Sequence, residues 1–139
     1  MAEVLGVLGA VAAASQITQQ CIHIAKIITS LCSKIRDAPN SIRSQIVQVE
    51  QLITITSLIE CNTSLQTDLM ASVLRTCSET TRQLLDELSK ISTSAGDGRV
   101  RRVWRGLAGL MVEDKLQGLF AQLEQRKSSL ALHIGTIDA

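Results

Sequence analysis

Four cysteines, two histidines and thirteen carboxylates are the side chains that could hold a metal or move a proton. Cys21 and His23 form the tightest ligand pair. Two residues apart on a helix, they point about 200° away from each other, so they cannot grip one ion. His133 stands alone in the sequence. Asp86-Glu87 and Glu113-Asp114 are adjacent pairs that diverge on a helix, which makes solvated faces rather than a converging acid and base. No GxSxG elbow, GxxxxGK[ST] loop or GxGxxG turn occurs. The expectation is a protein that is not an enzyme and carries neither cofactor nor metal. Cys21, Cys32, Cys61 and Cys77 are widely spaced, with no CxxC pair, and fall among apolar positions. They read as small buried thiols in a reducing compartment, and nothing in their spacing supports a disulfide.

Two other stretches carry interaction chemistry. Arg99, Arg101, Arg102 and Arg105 lie within seven residues, beside the only tryptophan, Trp104. One reading is a solvated face whose Val103 and Trp104 pack inward. The other is contact with anionic lipid head groups or an acidic partner, although this is too little charge to hold a membrane unaided. Nucleic acid is excluded as a partner, because the net charge is only +1 and the chain has two aromatic rings and no basic stripe. The second stretch is residues 4–14, VLGVLGAVAAA, in which no side chain bears a polar atom. A helix apolar all round belongs in a protein core or in lipid. Eleven residues are too few to span a bilayer, which takes about 20. Extension to residue 25 supplies the length but brings in Gln16, Gln19, Gln20 and His23, which tolerate a lumen or a partner helix better than lipid. Val4, Leu5, Val7, Leu8 and Val11 are therefore the candidate membrane-inserting residues. Glu3, Gln16, Gln19, Gln20 and His23 are the candidates for a lumen or an interface between chains.

These stretches need helices to place them. One proline in 139 residues, 45 % apolar content and almost no aromatics point to an all-α chain. The expected architecture is a single domain over residues 1–139: a helical bundle of four to five helices with an apolar N-terminal helix. Residues 2–37 read as the first helix. Unbroken, it would run about 54 Å, so a break or kink is expected near residues 12–18. Pro39 opens a second helix over 39–60, lined by Ile42, Ile46, Val49, Ile53, Leu58 and Ile59. Asn62, Thr63 and Ser64 supply capping groups before a third helix over 65–91, lined by Leu69, Val73, Cys77, Leu84, Leu88 and Ile91. The sequon formed by Asn62, Thr63 and Ser64 reads as chance, since Glu3 stands where a secretory signal would be basic. A loop at 92–99 precedes a short basic helix over 99–111 and a last helix over 113–137. That helix is lined by Leu116, Leu119, Phe120, Leu123, Leu130, Ile134 and Ile137. Short turns predict mostly antiparallel neighbours. The chain ends with its last helix, which suits a domain of a longer protein.

Three segments together resemble the fungal HeLo-like domains, including the SesA group, found ahead of NACHT or other STAND-type NTPase modules. They are MAEVLGVLGAVAAASQ, RDAPNSIRSQIVQVEQL and RRVWRGLAGLMVEDKLQGLFAQLEQRKSSLALHI. The resemblance spans essentially the whole chain. It implies a helical bundle acting in programmed cell death tied to incompatibility or innate immunity. Related HeLo domains, and the similar four-helix executioner domain of the necroptosis pseudokinase, oligomerise and permeabilise membranes through an N-terminal apolar segment, which by position is residues 2–14 here. Implied partners are further copies of the chain, membrane lipids including anionic ones, and a C-terminal STAND module. The implied location is cytoplasmic, with movement to the plasma membrane on activation. Gln16, Gln19 and Gln20 shorten the apolar stretch, a departure that argues against simple single-pass insertion.

Overall fold

A computed structural model describes the backbone of residues 2–33, 40–93 and 115–138, and the side chains of residues 8–30, 43–90 and 116–136. Among the described residues the protein is all-α. Helix α1 spans Ala2–Ser33, α2 spans Asn40–Cys61, a 3-10 turn spans Thr63–Leu65, α3 spans Asp68–Thr93 and α4 spans Lys115–Asp138. The expected basic helix over 99–111 lies outside the described residues.

Of the break or kink expected at residues 12–18, the break is absent, and α1 runs through them as one helix. Nothing there removes a backbone donor, and the Thr18 hydroxyl donates back to the Ala14 carbonyl at 2.9 Å inside the helix. At 32 residues α1 measures roughly 48 Å and outruns the 26-residue α3 beside it. A Cβ placed on Gly9 would sit 3.6 Å from that of Ala71, an ordinary contact that fixes the level at which the two helices meet. Because α3 starts three residues before Ala71, the first turn of α1 extends past the start of α3.

Capping chemistry ends α2 and starts α3. Asn62 caps the 3-10 turn by accepting from the Ser64 N–H at 3.1 Å. Gln66 Nε2 donates to the carbonyls of Ile59 and Glu60, both at 3.0 Å, and so satisfies the end of α2. Thr67 accepts from the Met70 N–H at 3.1 Å, and Asp68 complements the positive end of the α3 dipole. The third helix thus begins at Asp68 rather than at Leu65, which is buried in the turn before it.

One core joins all four helices. It contains Ile17, Ile24 and Ile28 of α1, Val49, Leu52 and Ile59 of α2, Leu74, Leu84 and Leu88 of α3, and Leu119, Phe120, Leu123 and Leu130 of α4. Among the described residues, Leu69 and Leu58 were expected in it but are 62 % and 47 % exposed, and Ile46, Ile53, Val73 and Ile134 are half-buried against it. Leu69 and Leu58 each fall at the edge of a helix's apolar arc, where none of the described helices closes over them. Helix α1 packs on α2 and α3, while α4 packs on α3 and more lightly on α2. As α1 rises from Thr18 to Lys26, α2 descends from Thr56 to Glu50, so these two are antiparallel. Against α3 the order is parallel, with Gly9 at Ala71, Gln16 at Ser78 and Gln20 at Thr81. The largest interface of the fold is thus between parallel helices, unlike the antiparallel pairing that short turns predict. Two successive reversals return α3 to α1's direction, and it then packs on α1.

Candidate functional site

Helix α1 carries the candidate residues. Its leading run is not a buried central rod. Ala10, Ala13 and Ala14 are buried, but Leu8 is 61 % exposed, Ala12 is exposed and Val11 is half-buried. A helix lying against a core on one side presents its remaining arc to solvent whatever that arc contains. The residues Glu3, Val4, Leu5 and Val7 belong to the helical backbone of α1, and their side chains lie outside the described residues. Among the described residues, no helix is long and apolar enough to cross a membrane.

The polar residues of α1 divide into two sets. Gln16 and Gln20 turn toward α3. The Ser78 hydroxyl donates to Gln16 Oε1 at 3.3 Å, and the Thr81 hydroxyl donates to Gln20 Oε1. On the α2 side, the Thr18 and Thr56 hydroxyls meet at 2.7 Å. These ties were not read from the sequence. The available signal was the set of hydroxyl residues, Thr56, Ser78, Thr80 and Thr81, at buried positions of α2 and α3, where an apolar side chain would be the default. Gln19 and His23 are exposed. All four of these polar residues line one cleft of about 410 Å³, together with Ile22 and Lys26. The structure therefore brings Gln16, Gln19, Gln20 and His23 to one cleft and uses two of them within the chain. The arginine cluster, Arg99, Arg101, Arg102 and Arg105, lies outside the described residues.

Cys21 is buried and His23 exposed, as their divergence on the helix requires. Among the described residues, no group of three or more histidine, cysteine or acidic side chains could hold a metal ion. Burial pushes the Cys21 and Cys77 thiols up to about 12. The Arg126 guanidinium pulls Cys77 weakly the other way, and the nearby Cys77 raises Cys21 a little further. Cys61 is exposed at the end of α2, contrary to the expectation that the thiols are buried, because its position follows the last core residue of that helix, Ile59. A thiol-alkylating reagent applied to the folded protein should therefore modify Cys61 readily and leave Cys21 and Cys77 untouched. Peptide mass mapping after a short exposure checks this, and early labelling at Cys77 would contradict the packing described.

Helix α3 also carries a charged face. Arg82 pairs with Glu79 and, at 3.5 Å, with Asp86 on the outer side of α3. The hydrogen bond from Arg82 holds the Glu79 carboxyl below its usual range. Both groups are well exposed, so this is an ordinary solvated helix face. Compared with known protein families, with curated proteins and with solved structures, the chain matches none.

Proposed function

We propose that this chain is a cell-death signalling domain of the HeLo-like kind that self-associates and acts on membranes through the start of α1. One observation carries the reading. Leu8, in the middle of the polar-free run 4–14, stands 61 % exposed at the end of α1 that outruns α3. The resemblance of the three sequence segments supports it. In this reading a C-terminal STAND or NACHT module clusters the chains at the plasma membrane. Val4, Leu5, Val7, Leu8 and Val11 then enter lipid, and Gln16, Gln19, Gln20 and His23 face neighbouring copies or a lumen.

The energetics set the order of events. Withdrawing all of α1 would expose Ile17, Ile24 and Ile28, each worth about 1.5–3 kcal/mol when buried. It would also break the Gln16–Ser78, Gln20–Thr81 and Thr18–Thr56 bonds, each worth about 1 kcal/mol net. That sum rivals the whole stability of a typical domain, about 5–15 kcal/mol. Leu8 and Ala12, already exposed, therefore meet lipid first, and deeper release of α1 needs the free energy of assembly.

Dye release from liposomes containing anionic lipid tests the reading. The wild-type chain should release dye, and Leu8→Glu should fold normally and fail to. Leakage that is absent from the wild type, or unaltered in Leu8→Glu, would refute the membrane step. A second reading is favoured by the complete burial of Ile17, Ile24 and Ile28: a homotypic or adaptor interaction domain in which α1 stays in the core in every state. It predicts self-association without leakage.

A further inference from the structure

A groove of about 550 Å³ runs between α1 and α2 on the side away from α3 and α4. Its floor is apolar, formed by Ala25 and Ile53, both half-buried, with Ile22 38 % exposed above them. One wall carries Lys26 and the other carries Glu50, about two residues or roughly 3 Å apart in height by the register that pairs Thr18 with Thr56. Both are exposed, and among the described residues neither makes an ion pair. An apolar floor between two walls of opposite charge is complementary to itself.

We infer that this groove is where a second copy of the chain docks, as an isologous dimer with its twofold axis along the groove. That axis lays α1 of each copy over α2 of the other while keeping the level along the helices. Lys26 of each copy then faces Glu50 of its partner, giving two equivalent ion pairs around one apolar centre that holds Ile22 and Ile53 from both copies. No other twofold axis in the plane of this face pairs the unlike charges at nearly one level. An axis across the helices would set Lys26 against Lys26 and Glu50 against Glu50. The inference deepens the self-association part of the proposed function and rests on it, but it needs no lipid.

The test is the mass of the full chain in lipid-free solution as a function of concentration and salt, by light scattering or sedimentation. The wild type should dimerise. Lys26→Glu and Glu50→Lys should each weaken the dimer roughly tenfold, since each turns both pairs repulsive. The double variant K26E/E50K should restore it, because the exchanged charges again meet their opposites. Both positions are exposed, and circular dichroism should report an unchanged helical fold. A wild type that stays monomeric at every concentration overturns the inference. A dimer indifferent to both reversals, or one the double variant does not rescue, overturns it equally. Because the mass is measured without vesicles, failure here leaves the leakage result intact, and loss of leakage leaves the dimer intact.

Discussion

Ile24→Ala should destabilise the domain by about 2–5 kcal/mol, whereas Leu8→Glu should change its stability by no more than about 0.5 kcal/mol. The two residues lie on one helix within sixteen positions and are both large aliphatics, so composition does not separate them. Packing does. Ile24 has no accessible surface and sits in the core common to all four helices. Its truncation removes buried methyl groups and leaves a cavity that rigid helices fill only in part. Leu8 is mostly in water already, and a carboxylate there stays hydrated, so no charge is buried. Chemical denaturation of the two variants and the wild type measures the contrast. A large loss of stability in Leu8→Glu would place the start of α1 in the core, and the membrane reading would lose its main support.

Raising the pH from 8 to 10.5 should cost the fold on the order of 4 kcal/mol through two thiols. Cys21 and Cys77 have an ordinary value of 9.0 in the unfolded chain and about 12 in the folded one. Below pH 9 both states hold their protons and stability is flat. Between 9 and 12 the unfolded chain releases protons that the folded chain retains, so stability falls as pH rises. Above 12 the loss levels off. Each thiol contributes a little over about 1 kcal/mol per pH unit in that window. Tyrosine, a common source of alkaline titration, is absent from the chain. Denaturation series at several pH values should therefore show a slope that Cys21→Ala/Cys77→Ala flattens, even though the variant starts from lower stability. A slope that survives the double substitution would assign the alkaline loss to other groups.

Much of the fold was legible in the residues. The 3.6-residue recurrence of Leu, Ile and Val marked each of the four described helices, because a helix that packs must repeat its apolar face with its own pitch. The last helix shows this best. Leu116, Leu119, Phe120, Leu123 and Leu130 were expected inward and all are buried. Asn62 was named as a capping residue and caps the turn after α2, since a short acceptor side chain is what an unpaired backbone N–H requires. The clustering of Gln16, Gln19, Gln20 and His23 on α1 likewise followed from their spacing, and they share a cleft.

The rest depended on neighbours. Periodicity says which face of a helix is apolar, but not how far the adjacent helix reaches over it. In a run apolar all round it also does not say which residues face the core, and Ala10 is buried there while Leu8 is exposed. That α1 extends past the start of α3 rather than stopping level with it is likewise not encoded in its own residues. The parallel packing of α1 on α3, the hydroxyl ties that set their level, and the meeting of Lys26 and Glu50 across one groove join residues 24 to 62 positions apart in the chain. By itself the sequence determined which segments are helical and which of their faces seek cover, because both are properties of one helix. Only the tertiary structure decided which faces find that cover and which polar groups are spent inside the fold, because both depend on the register between helices.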